Sequence, residues 1–137
     1  MYIEAYELLR EILSDEALNK YIFNETGKHL AVIDAGARIT TPSANIVFLG
    51  GETSYANNTS HEVRYRVEFN LPYWGNDALR RFHEFLDVAI KAFFKYEQRI
   101  NPVYPNLVKT ANPSISEQDE ESEEWTVAFD VTVLIFN

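Results

Sequence analysis

The side chains best able to do chemistry here are three histidines, one dense run of carboxylates and two pairs of arginines. His29, His61 and His83 stand far apart, with neither HxH nor HExxH spacing, so they offer no ligand pair for a metal ion. His83 follows Phe82 in a segment of helical periodicity, where a satisfied, partly buried imidazole is expected. The acids Glu117, Asp119, Glu120, Glu121, Glu123 and Glu124 fall within eight residues. Paired carboxylates can serve general acid–base work, and oxygen-rich loops can hold calcium. This run lacks the alternating Asp/Asn ladder and central Gly of a calcium loop, and a solvated polar loop is the plainer expectation. Gly50-Gly51 has neither the Lys-Ser/Thr end of a phosphate loop nor a GxGxxG frame, and reads as a bulge. There is no GxSxG elbow and no cysteine to act as a nucleophile. Arg64 and Arg66 alternate with Glu62 and Glu68, so an ion-paired face is expected rather than a basic patch with Arg80 and Arg81. The residues therefore predict a protein that is not an enzyme and holds no cofactor and no metal.

Composition narrows the partners. The chain has 137 residues, 46% of them hydrophobic, which is one ordinary domain (1–137) with enough apolar material for a core. Its formal charge of −9 disfavours an ordinary nucleic-acid module, because tight binding to phosphates needs Lys and Arg to replace counterions. Met1 leads directly into Tyr-Ile-Glu-Ala-Tyr-Glu, so no signal peptide is expected. No run approaches the roughly 18 apolar residues of a membrane span, and a cytosolic protein with no membrane partner is predicted. The Asn-x-Ser/Thr matches at Asn24, Asn57 and Asn58 are then chance.

The elements that must position these residues follow from periodicity. Glu4 to Leu13 has Ala5, Leu8, Leu9, Ile12 and Leu13 at helical spacing. Ser14 and Asp15 read as a cap for a short second helical turn that ends at Gly27. Leu30 to Ala35 predicts a short strand, and Gly36 to Ser43 an irregular link. Ile46 to Leu49 predicts a strand that continues past the two glycines towards Tyr55. After the turn-rich Asn57 to Ser60, Glu62 to Leu71 alternates strictly, with Val63, Tyr65, Val67, Phe69 and Leu71 on one face, the mark of a half-buried second hairpin arm.

Pro72 and Gly75 stop that strand. Asn76 or Asp77 can cap a long helix to about Gln98, whose apolar stripe reads Leu79, Phe82, Leu86, Ala89, Ile90 and Phe93. A short strand at Leu107 to Thr110 precedes the acidic run. From Trp125 a last strand puts Trp125, Val127, Phe129, Val131, Val133 and Ile135 on one face. Leu134 and Phe136 add apolar surface to the other. The predicted class is α+β: a mixed or antiparallel sheet with a long hairpin, one long helix on one face, and an N-terminal helix.

This order of elements resembles the tail terminator proteins of long-tailed (siphovirus-type) bacteriophages and prophages. The residues that carry the resemblance are the strand Asn45 to Gly50, the polar hairpin tip, the alternating strand Val63 to Pro72 with its Leu-Pro corner, and the Trp-led strand Trp125 to Phe136. It spans Glu4 to Asn137, departing in the inserted 27–42 segment and the long 102–124 loop. The resemblance implies a homohexameric ring that caps the tail tube, stops its polymerisation and joins the head-completion protein. DNA passes through such a ring without specific binding. On that reading Tyr55, Asn57, Asn58, Tyr73, Trp74, Leu134 and Phe136 are the candidate subunit or tube contacts. Glu117, Asp119, Glu120, Glu121, Glu123 and Glu124 are candidates for a lumen or docking loop. The expected location is the host cytoplasm during assembly and then the virion tail. A head–tail connector (neck) protein and an acidic, immunity-type binding domain are the competing expectations.

Overall fold

The computed structural model describes residues 2–34, 42–53, 60–72, 77–97, 107–119 and 124–136. Three helices and five strands follow in the order α1 (Tyr2–Leu13), α2 (Glu16–Thr26), β1 (Ala31–Asp34), β2 (Ser43–Thr53), β3 (Ser60–Pro72), α3 (Ala78–Glu97), β4 (Leu107–Asp119) and β5 (Glu124–Phe136). The strands form one mixed sheet ordered β1-β2-β3-β5-β4. β1 joins β2 in parallel and every other neighbour is antiparallel. The α+β class, the long hairpin, the long helix and the N-terminal helix are all present.

Local chemistry sets the element ends. Asp15 caps α2, its carboxylate accepting the Leu18 N–H at 3.1 Å, which satisfies one of the donors every helix start leaves open. Gly27 closes the same helix at φ 73° and donates its N–H to the Phe23 carbonyl at 2.7 Å, a left-handed position that suits glycine. The result is an eleven-residue helix where the sequence suggested only a short turn. In β2 the register slips between Phe48 and Gly50, so Leu49 is the extra residue of the expected bulge.

The largest departure from expectation is β4. The sequence offered a four-residue strand and then a loop, because Pro113 and the acids argue against pairing. Instead a thirteen-residue strand runs along β5, ten of its residues paired, with irregularities between Ala111 and Ser114 and between Glu117 and Asp119. Asn112 there takes φ 55° and its amide donates to Asp130 at 3.0 Å. As β4 lies at the sheet edge, Pro113 removes no ladder bond that a further neighbour needs.

All three helices share one core with one face of the sheet. Inward residues Val63, Tyr65, Val67, Phe69 and Leu71 of β3 meet Val127, Phe129, Val131, Val133 and Ile135 of β5, and both meet Leu9, Ile12, Leu18, Ile22, Phe85 and Phe93 of the helices. A chain of rings runs through it, with Phe69 to Phe85 at 4.9 Å, Phe69 to Phe129 at 5.8 Å and Phe93 to Phe129 at 5.2 Å. Such side chains are worth about 2 kcal/mol each when buried, an upper value since unfolded chains already hide some surface. The α3 stripe is turned from the expected one. Phe85 and Ala92 are buried, whereas Leu79 is 66% exposed. Spacing fixes the period of a helical stripe, but only the packing partner fixes which way it points.

Candidate functional site

The histidines do not converge. His61 is buried on β3, while His29 is exposed and stacks on Phe23 at 4.9 Å. His83 is exposed rather than partly buried, because the turned stripe of α3 carries it outward, but its Nδ1 lies 2.7 Å from the Leu79 carbonyl. Among the described residues no group of three His, Cys, Asp or Glu side chains could hold a metal ion. The arginines are divided among partners: Arg66 pairs with Glu68, Arg80 with Glu84 and Arg81 with Glu25. These pairs are solvent-exposed and contribute little to stability, but they match each of these three arginines with a carboxylate.

The two ends of the acidic run lie in strands. Glu117 and Asp119 belong to β4 and Glu124 to β5, paired as Glu117↔Trp125 and Asp119↔Glu124. Extending the ladder satisfies backbone groups that a loop would leave to water. Glu120, Glu121 and Glu123 lie outside the described residues, as do Tyr55, Asn57, Asn58, Tyr73 and Trp74. Leu134 is half-buried on the face away from the helices, between Glu62 of β3 and Leu107 of β4. Phe136 pairs with Ser60 through its backbone, and its side chain lies outside the described residues.

Three features were not drawn from the sequence. The first is an apolar patch at the bulged end of β2. Tyr2 (45% exposed) meets Phe48 (58%) edge to face at 6.1 Å, and Ile3 (60%) and Leu49 (51%) adjoin them in sequence. Phe48 rests in turn on Tyr65 at 5.9 Å, whose hydroxyl is held above its ordinary range by burial first and then by Tyr6 and Tyr2. Gly51 lets the Tyr2 ring approach, since a Cβ there would stand 2.6 Å from it. On the usual area of aromatic side chains, Tyr2 and Phe48 together leave roughly 200 Å² of ring surface in solvent. Phe48-Leu49 beside paired glycines was the available signal.

The second feature is a groove of about 410 Å³ between α2 and α3, lined by Lys20, Lys91 and Lys95 with Asp15, Tyr21 and Asn24. Lys95 donates to Asp15 at 3.1 Å, whereas Lys20 and Lys91 have no hydrogen-bond or ion-pair partner among the described residues. The Tyr21 hydroxyl is buried without a hydrogen-bond partner among the described residues. Burial, then the charges of Glu25 and Glu84, push it up to about 12. The signal for this groove was lysines four apart on a helix, Lys91 and Lys95, which share a face.

The third is a polar ladder on the sheet face away from the helices. Thr126 donates to the Asn70 side-chain carbonyl at 3.1 Å, and the Asn70 amide donates to Ser43 at 3.3 Å. All three side chains are buried, so this is a structural tie across β2, β3 and β5.

No helix among the described residues is long and apolar enough to cross a membrane. No protein-family model and no curated protein matches the chain. Several solved structures are similar; one of them, over 96% of both chains, has 11% identity and a TM-score of 0.43.

Proposed function

We propose that this chain is a structural, non-enzymatic subunit of the tail terminator kind. Copies of it form a ring, six in the arrangement the resemblance implies, that caps a phage or prophage tail tube and stops its growth. The ring offers a joining surface to the head-completion protein, while DNA threads it without being held. It assembles in the host cytoplasm and remains in the virion tail. The observation that carries this reading is the patch of Tyr2, Ile3, Phe48 and Leu49, where two aromatic rings are left half in solvent. Apolar area at one end of a sheet suits a contact between subunits or with a tube. The element order that resembles tail terminators gives the contact its setting, and the net charge of −9 suits a ring through which DNA must slide.

The test is negative-stain imaging of the purified chain mixed with tail-tube protein. Rings seated on tube ends, with tube length held down, are expected. Phe48→Asp should keep the wild-type circular dichroism spectrum and lose the rings. Monomer-sized particles alone, with tubes present, would overturn the proposal. Capture by capsids instead of tubes would transfer the chain to the neck connectors. A salt-sensitive complex with one basic protein, and no ring, would mark an immunity-type inhibitor.

A further inference from the structure

We infer that the lysine groove between α2 and α3 seats the acidic end of the β4–β5 hairpin of a second copy, which rests on the ring reading above. The charges are complementary and both are concentrated. Three of the chain's five lysines line the one groove, in a protein of net charge −9. Lys91 and Lys95 repel each other at four-residue spacing, and Asp15, the carboxylate in the groove's lining, is engaged by Lys95. Lys20 and Lys91 are left to face the opening. Along the chain, Glu117, Asp119, Glu120, Glu121 and Glu123 crowd five like charges into seven residues. Each cluster relieves the other's repulsion when they meet, and in a contact that excludes water the attraction is stronger than on an open surface.

The hairpin of the same chain is poorly placed to fill the groove. The pairings Pro72↔Glu124 and Glu124↔Asp119 hold Asp119 and Glu124, which flank the 120–123 segment, at the end of the sheet where β3 finishes. Lys91 and Lys95 lie in the later turns of α3, about 20 and about 26 Å along the helix from its start at Ala78. A groove on one copy and a hairpin on the next make a head-to-tail contact, and contacts of that kind close into rings when the rotation permits.

The experiment is a charge swap on the full chain, read by sedimentation velocity and by binding to purified tail tubes. Lys20→Glu with Lys91→Glu, and separately Glu120→Lys with Glu121→Lys, should each weaken self-association about 10-fold or more. All four changes together should restore it, and added salt should weaken the wild type. Lys20→Gln with Lys91→Gln gives the same direction should the reversals disturb folding, which circular dichroism reports. Wild-type rings that survive each reversal, or that the combined swap fails to restore, would overturn this contact and leave the ring reading standing. A wild type that neither self-associates nor sits on tubes overturns both. Binding of a polyglutamate peptide without self-association would also overturn the inference, assigning the groove to a foreign acidic segment.

Discussion

Phe85→Ala and Leu79→Ala separate the two ways of reading α3. Phe85 is fully buried, edge to face with Phe69 at 4.9 Å and 6.3 Å from Tyr21. Removing such a ring takes away its transfer energy and leaves a cavity that its neighbours fill only in part, a loss of about 3–5 kcal/mol. Leu79 is 66% exposed. A fully buried leucine is worth about 2 kcal/mol, so Leu79→Ala should cost less than about 1 kcal/mol. Urea denaturation followed by circular dichroism converts these values into midpoints. With a slope of about 2 kcal/mol per molar, the midpoint falls by about 2 M for Phe85→Ala and by less than about 0.5 M for Leu79→Ala. Phe85→Leu keeps part of the volume and should shift the midpoint in the same direction by less, which preserves the comparison if the alanine variant fails to fold. Equal shifts, or a larger one for Leu79→Ala, would refute the packing of α3 described here.

Two other outcomes rest on buried polar groups. Because the Tyr21 hydroxyl titrates at about 12 in the folded chain, above its ordinary 10, its contribution is complete below pH 10. That contribution is then lost as the pH rises towards 12. Tyr21→Phe should flatten this alkaline loss in pH-dependent unfolding, and remove one late step from the tyrosinate absorbance titration. An unchanged titration curve would count against it. Thr126→Val keeps the side-chain shape but removes the donor to Asn70. It should lower stability by about 1 kcal/mol, against less than about 0.5 kcal/mol for Thr132→Val on the same strand, both measured by urea denaturation.

The sequence determined the features that depend on local period and local chemistry. Strict alternation from Glu62 to Leu71 and from Trp125 onward identified the two central strands, because a half-buried strand repeats every two residues whatever lies beside it. Asp15 and Gly27 marked the ends of α2 because a cap acts on its own helix. The paired glycines marked the bulge in β2. Tertiary structure alone decided what depends on a partner distant in sequence. Pro113 and the acids made β4 beyond Thr110 read as a loop, and only an edge place beside β5 makes such a strand tolerable. Leu79 and Phe85 fit two equally regular stripes on one helix, and the rings of Phe69 and Tyr21 choose between them. The run from Glu117 to Glu124 shows both sides: its charge was legible, but pairing with β5 turned Glu117, Asp119 and Glu124 into strand ends. Tyr2 with Phe48, and Lys20 with Lys91, are dozens of residues apart in the chain, so no local pattern could bring either pair together. Folding does so, because packing three helices on a single sheet face brings distant stretches of the chain side by side.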